Sequence, residues 1–562
     1  MNIPVARWLI GYKPAWLRGD LVAGLTAAAV VIPQALAYAA VAGLPVEVGL
    51  YTALAGMLAY PLLGSSRPLS VTTTSSIAML TATEIAGLAA TNPGVNPVAA
   101  AATLALLVGA ALILARVLRL GFLANFISKP VLIGFQAGVW VAILVGQLKS
   151  VFGVHLTAKS TLGIVMQLPG ALAQTHGLTF LLAGTGIAIL LVAVRRAPRF
   201  PAPLLWIAAT IVASAVFGLA GMGVKTIGTV PAGLPALALP DLSLARLLWP
   251  SALGVALMSF TEGTAGARTF RAGGDPPVST NSELVAVGAA NLASAFVGGM
   301  PAGGGTSQTA VANGAGVHTQ LAQWVSAAAV LATLLVASRA IALLPQPALA
   351  AVMVVTAITM IKPRTFQAIG AVRNDELMWS FATVVGVIAL GTLDGVLVAV
   401  AISMLTLFYQ ANHPPVYAMA YNPEKAIFRQ AGEHKSDVTY PGLLMLRVEG
   451  RLTFANADNA RDKIRALVEA EEPRVVVMEC SGILDIEYTA LLMLTEAEQH
   501  MRAAGCELWL AAINPDVLTI VQRSPLGQTL GRQRMFFNLD KAVEAWLQLQ
   551  DRPLPKPAVG PP

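Results

Sequence analysis

Over the first 410 residues, polar and apolar positions alternate on a long scale: stretches 85–115, 160–194, 200–224 and 284–338 hold no Asp, Glu, Lys or Arg. A membrane-spanning helix needs roughly 20 mostly apolar residues, so each run predicts at least one spanning segment and the chain is polytopic. Near His413-Pro414-Pro415 the pattern changes. Short apolar runs at 443–448, 474–478 and 507–513 read as strands, and 455–470 and 489–504 carry apolar residues at helical spacing. The expected organisation is an N-terminal arm (1–19), a transmembrane domain (20–411), a linker (412–439), an α/β domain (440–550) and a proline-rich disordered tail (551–562).

Composition agrees with the pattern: 56% of residues are hydrophobic, only 12% are charged, and mean hydropathy is +0.69. Charge is unevenly spread, with 20 Lys+Arg against 10 Asp+Glu up to residue 410 and 16 against 19 beyond it. The basic residues fall between apolar segments, in the clusters Arg116/Arg119/Lys129, Arg195/Arg196/Arg199, Arg268/Arg271 and Lys362/Arg364/Arg373. By the positive-inside rule these loops are cytoplasmic, as are both termini, so the pI of 9.5 reflects topology rather than nucleic-acid binding. The early apolar segment shows no small-residue cleavage pattern and reads as retained. The only cysteines, Cys480 and Cys506, lack metal-ligand spacing, so neither a disulfide framework, a metal site nor a cofactor is expected. No nucleotide-binding Gly-x-x-x-x-Gly-Lys-Ser/Thr occurs, so transport would be secondary, and no nucleophile, base and oxyanion set suggests an enzyme.

Two stretches break the apolar pattern. Pro301-Ala-Gly-Gly-Gly-Thr-Ser-Gln-Thr309 puts helix breakers and hydroxyls inside an uncharged run, and Ser70-Val-Thr-Thr-Thr-Ser-Ser76 crowds six hydroxyls into seven residues. Irregular backbone at membrane depth is tolerated only where it is buried in protein or lines a wet cavity. A half-helix starting near Gly305 would turn its unpaired N–H groups and positive dipole end inward, which outlines an anion site. Small and hydroxylated residues also promote close helix packing. The occurrence of one break in each half of the region favours an inverted-repeat transporter with a site near the midplane.

Single polar residues add to this. Glu262 lies well inside the bilayer, about ten residues before Arg271; it would bind a proton or help coordinate Na⁺, or else pair statically with Arg268. Glutamate rather than aspartate favours the proton. Gln34 and Tyr38 share a helix face at i, i+4 and would present donors to a ligand or bond across helices. Asp20 reads as an interface or capping residue ahead of the first helix, and Glu84 as a carboxylate near a helix end.

The blocks Asp20-Leu-Val-Ala-Gly-Leu-Thr26, Ile32-Pro-Gln-Ala-Leu-Ala-Tyr38, Phe126-Ile-Ser-Lys-Pro-Val-Leu-Ile-Gly-Phe-Gln-Ala-Gly138 and Asn281-Ser-Glu-Leu284, with Asn291-Leu-Ala-Ser-Ala-Phe-Val-Gly-Gly299, resemble the SulP sulfate-permease family of anion transporters. The resemblance implies a polytopic α-helical protein of 14 membrane segments in a 7+7 inverted repeat, with core and gate domains moving elevator-fashion. It also implies a cytoplasmic α/β STAS domain and a homodimer in a bacterial-type inner membrane. The anion would sit where the third and tenth segments begin, here Thr72, Thr73, Thr74, Ser75, Gly304, Gly305, Thr306, Ser307 and Gln308, with Gln34 and Tyr38 of the first segment and Glu262 as the proton or cation site.

Two departures bear on the substrate. Thr72-Thr73 stands where many relatives have Gly-Pro, and Gln308 where many have Arg. Loss of that positive charge moves the expectation from sulfate toward bicarbonate, chloride or a carboxylate. In the STAS domain, the turn Glu487-Tyr488-Thr489-Ala490 carries Tyr488 at the commonly phosphorylated serine, leaving Thr489 as a regulatory candidate and a cytosolic partner as an alternative role. The expected function is therefore H⁺-coupled anion symport, with Na⁺-coupled bicarbonate uptake or a membrane-anchored STAS signalling scaffold as alternatives.

Overall fold

The computed structural model describes residues 6–121, 128–158, 160–197, 200–228, 230–231, 233–271, 275, 277–432 and 436–550. Arg199, Phe126 and Ile127 of the quoted block, the start of the N-terminal arm and the tail 551–562 lie outside them. The chain divides into two units, Met1–Ser403 and Met404–Pro562.

The first unit runs α1 (Leu17–Val41), α2 (Val46–Leu63), β1 (Val71–Thr72), α3 (Ser75–Thr91), α4 (Pro97–Val117), α5 (Lys129–Phe152), α6 (Thr161–Ala171), α7 (Gly177–Arg196) and α8 (Ala202–Phe217). It continues with α9 (Ala245–Thr269), α10 (Thr280–Phe296), β2 (Gly303–Gly304), α11 (Thr306–Gly314), α12 (Leu321–Val336), α13 (Ser338–Ala342), α14 (Gln346–Met360), α15 (Pro363–Val372), α16 (Asn374–Leu390) and the start of α17 (Thr392–Asn412), whose remainder from Met404 belongs to the second unit. Among the described residues, seven helices are long and apolar enough to cross a membrane, and shorter apolar helices accompany them. Local sequence sets several ends. Asn96 and Ser128 cap α4 and α5 through their side chains, each followed by proline in the first turn, and Gly153 ends α5 in the left-handed region at φ 69°.

The helices pack as two groups. In one, α10 lies against α4 and α2, α1 and α2 against α12, and α4 against α9; in the other, α5 lies against α14 and α16, and α7 against α14 and α8. Small residues permit the approach: a Cβ added at Gly24 of α1 would stand 2.5 Å from the Ala322 carbonyl oxygen of α12. Asp20 is not ahead of the first helix but in its first turn and fully buried, where it caps a different segment. Its carboxylate accepts from the His318 and Thr319 N–H groups at 2.7 and 2.9 Å and from Thr319 Oγ1 at 2.6 Å. Glu84 is not near a helix end but in the middle of α3.

The second unit contains β3 (Val416–Asn422), β4 (Ile427–Gln430), β5 (Leu443–Val448), β6 (Gly450–Leu452), α18 (Ala457–Glu471), β7 (Val475–Glu479), β8 (Ile483–Ile486) and α19 (Tyr488–Ala503). It ends with β9 (Glu507–Ala511), α20 (Pro515–Gln522), α21 (Pro525–Leu530), β10 (Met535–Phe536) and α22 (Leu539–Leu549). A six-stranded sheet has the order β10-β9-β7-β5-β3-β4, parallel from β10 to β5 and antiparallel at β3 and β4. Strand alternation divides its core: Leu444, Leu446, Val476 and Met478 face one cluster, while Leu443, Met445, Val475 and Val477 face the other, which includes Trp546 of α22. The stretch 412–439, expected as a linker, supplies β3 and β4. Their reason for being ordered is distant in sequence, because β3 pairs with β5 from Val416↔Val448 to Met419↔Met445.

Candidate functional site

The two breaks meet. β1 and β2 form an antiparallel pair with Val71 opposite Gly304 and Thr72 opposite Gly303, and each strand leads directly into a helix, α3 or α11. The irregular backbone around this ladder is satisfied by buried side chains, as a membrane interior requires. Met300 N–H donates to Thr52 Oγ1 at 2.8 Å, and Ser294 Oγ donates to the Met300 carbonyl at 2.7 Å. Asn291 serves both groups of Ala302, accepting from its N–H at 2.9 Å and donating to its carbonyl at 3.0 Å. Ser259 Oγ donates to the same carbonyl at 2.6 Å, and Gly305 N–H donates to Ser70 O at 2.9 Å.

Glycine at 304 is a steric requirement: a Cβ there would lie 2.5 Å from Gly263 Cα of α9. That contact sets β2 beside Glu262. The Glu262 carboxylate is 5% exposed and accepts a hydrogen bond from Thr74 Oγ1 at 2.8 Å, and Ser76 of α3 and Gln136 of α5 line the same cavity. These neighbours are hydroxyls and an amide. The static pairing with Arg268 does not hold, since six residues of helix separate the two by about 9 Å of rise and about 240° of turn.

Below the ladder runs a second chain of bonds. Gln308, 1% exposed, accepts from Thr72 Oγ1 at 2.7 Å and donates through Nε2 to Gln34 Oε1 at 3.1 Å. Gln34 and Ser307 side chains are 3.5 Å apart. Thr73 is fully buried, and its hydroxyl has no hydrogen-bond partner among the described residues.

A cavity of about 280 Å³ opens between the two helix groups. From the first group it is lined by Tyr38, Thr74, Ser75, Ser76, Glu262 and the stretch from Gly304 to Gln308. From the second come Gln136, Ala137 and Trp140 of α5, and Met360, Lys362, Thr365 and Phe366 around the α14–α15 turn. The first four N–H groups of a helix have no intrahelical acceptor, so the N-termini of α3 and α11 both present donors and positive dipole ends here. Of the residues expected at an anion site, Gln34, Thr72 and Thr73 are not in the lining, although Gln34 and Thr72 buttress Gln308. Thr489 belongs to the second unit, exposed in the first turn of α19.

Sequence reasoning placed Ser76 in the hydroxyl-rich break but not beside Glu262, and it missed Gln136 and Lys362 as lining residues. Gln136 carried a usable signal, an uncharged polar residue in the otherwise apolar run 131–146 of α5; Lys362 was read only as a marker of sidedness.

The profile of the Sulfate permease family matches residues 17–383, and that of the STAS domain matches residues 434–542. A protein of Mycobacterium tuberculosis described as a probable sulfate transporter is 35% identical over 540 residues, 95% of this chain and 96% of its own. A chloroplastic sulfate transporter of Arabidopsis thaliana is 27% identical over 97% of this chain and 82% of its own. The murine Solute Carrier 26 family member A9 anion transporter in an inward-facing state has the same fold, with a TM-score of 0.87 at 21% identity, covering 97% of this chain and 94% of its own. The transmembrane domain of a cyanobacterium bicarbonate transporter superposes at a TM-score of 0.59 with 25% identity, over 69% of this chain and 98% of its own.

Proposed function

The chain belongs to the Sulfate permease family, and from that premise we propose that it is a secondary active transporter of a small inorganic anion or carboxylate, driven by protons that bind Glu262. The observation that carries this reading is the convergence of two helix N-termini and a buried carboxylate on one cavity of about 280 Å³ between two separately packed helix groups. An anion held by N–H dipoles and hydroxyls would move with the first group against the second, which is an elevator-like cycle with α1, α3, α9 and α11 as the carrier. Lys362 lies at the cavity, in a cluster that the positive-inside rule assigns to the cytoplasm, so this conformation is read as cytoplasm-facing. Both termini then lie on that side, in a plasma membrane, with the STAS domain available to a partner and the chain pairing as a homodimer.

Gln308 shapes the substrate preference. Its amide is taken up by Thr72 and Gln34, so the α11 terminus offers dipoles but no fixed charge. Monovalent anions such as chloride or bicarbonate are favoured over sulfate on this ground, because a doubly charged ion leaves more charge uncompensated in a low-dielectric site.

The test is uptake of labelled sulfate, bicarbonate, chloride and fumarate into liposomes holding the purified protein, with a pH or Na⁺ gradient, for wild type and Glu262→Gln. Wild-type uptake should follow the pH gradient, and the variant should lose that dependence. No anion movement under any gradient by folded protein would sink the transporter reading and leave the STAS scaffold in its place. The similarity to a bicarbonate transporter keeps a second reading in view: bicarbonate uptake that follows Na⁺ and ignores pH would replace the proton with Na⁺ at the same carboxylate.

A further inference from the structure

The donors beside Glu262 line the same cavity as the two helix N-termini. Thr74 is the N-cap of α3: its Oγ1 accepts from Ile77 N–H at 3.4 Å while its proton goes to Glu262 Oε2 at 2.8 Å. Ser76 lies in the first turn of the same helix, and Gln136 stands in the cavity lining on the opposite helix group. All three line the cavity with Glu262. A carboxylate accepts through both oxygens, whereas the neutral acid has one hydroxyl donor and less capacity to accept. A hydroxyl or amide committed to an ionised Glu262 therefore cannot also bind an anion with the same hydrogen.

From this geometry we infer that Thr74, Ser76 and Gln136 are shared between Glu262 and the transported anion, so that proton uptake by the carboxylate releases these donors to the anion site. The inference deepens the proton-coupled reading of Glu262 and rests on it. In the ionised state the donors are satisfied internally and the cavity presents a negative charge. When a proton from the aqueous side binds Glu262, the charge disappears, the neutral acid keeps part of the set, and the freed hydroxyls and amide turn toward an anion at the N-termini of α3 and α11. Proton and anion then favour each other's binding reciprocally, as linkage demands. The coupling needs no ion pair, in keeping with Gln308 at the start of α11. The other titratable groups facing this carboxylate are Tyr38 from α1 and Lys362 beyond α14, while the facing parts of α3, α5 and α11 contribute hydroxyls and amides.

Thr74, Ser76 and Gln136 are thus positioning residues for the proton step as well as ligands for the anion, and a double-mutant cycle separates this from independent roles. The probe is whichever of labelled chloride, bicarbonate or sulfate the wild-type vesicles carry, its binding to the full-length protein being measured at alkaline pH. In the wild-type background, Glu262→Gln, a neutral side chain of the same size, should tighten binding by about tenfold. In the Thr74→Val background the same change should gain severalfold less, and Thr74→Ser should restore the gain. Gln136→Leu supplies an independent cycle from α5 should the valine variant fail to fold. An equal gain from Glu262→Gln in every background would overturn donor sharing while leaving proton coupling intact. Wild-type vesicles that carry no anion, or carry one without regard to pH, would instead overturn the underlying reading before any variant is made.

Discussion

At the scale of single residues, the balance of charge at the α11 terminus rests on Gln308. Its carbonyl oxygen accepts from Thr72 and its amide donates to Gln34, so a neutral side chain completes the local bonding at almost no exposure. Replacing it by arginine would place a full charge beside the cavity at the cost of that chain of bonds. A guanidinium can still donate to Gln34 Oε1 but, having no acceptor, leaves the Thr72 hydroxyl without this partner; a lost buried partner costs on the order of 1–3 kcal/mol, so Gln308→Arg should lower the melting temperature. The charge should also raise the sulfate-to-chloride preference measured by competitive uptake; an unchanged ratio would remove Gln308 as a determinant of selectivity. The two cysteines give a separate residue-level expectation. Burial pushes the thiols of Cys480 and Cys506 above their ordinary range, and the nearby carboxylates Glu479 and Glu507 push the same way. Only the thiolate reacts, and a raised pKa leaves less of it at any given pH. Alkylation of both at pH 8 should be slow in the native protein and fast in denaturant; rapid native labelling would show that the second unit opens readily around β7 and β9.

At the scale of elements, β2 is held where it is by the absence of a side chain. Gly304→Ala would drive a Cβ into the Gly263 backbone of α9, and backbone cannot move aside as a flexible side chain does. Overpacking of this kind costs about 1–3 kcal/mol, and here it would also separate the α11 terminus from Glu262. Uptake should fall much further than stability, as read by transport against a thermal melt of the same preparation; a variant with normal uptake would show that the ladder tolerates displacement. The existence of the breaks was legible in the sequence because proline, glycine and clustered hydroxyls stand out against an apolar background. Their pairing was not: Val71 and Gly304 are joined by contacts far apart along the chain, and two residues per strand give no alternation to read. Strands β5, β7 and β9 were legible as apolar runs, each close to its observed bounds. Gln136 escaped notice for the opposite reason, since its importance comes from a helix group that local pattern cannot place next to Glu262.

At the scale of the whole molecule, the division into a helical membrane unit and an α/β unit was visible in hydropathy, but the edge of the second was drawn too late. Residues 412–439 looked like a linker because β3 and β4 are mostly half-buried strands without a continuous apolar run, and the partner β5 of β3 lies further along the chain. The unit needs them: without β3, the edge of β5 from Leu443 to Val448 would present unpaired backbone groups next to buried Leu446 and Val448. A fragment spanning 411–550 retains both strands, the Asn456 bond to the Ala411 carbonyl and the Lys463 bond to the Pro414 carbonyl. It should be soluble and melt in one cooperative transition, while a fragment spanning 440–550 should aggregate or melt far lower. Equal behaviour of the two would mean that β3 and β4 belong to the membrane unit's surroundings rather than to the domain. The outcome also decides how the transporter and scaffold readings are separated by truncation. A chain cut at 440 would carry the β3–β4 pair without the β5 strand that β3 packs beside, and its loss of activity would say nothing about the role of the STAS domain. A chain ending at 412, at the close of α17, removes every strand of the α/β sheet together, and on the transport reading it should keep measurable anion uptake.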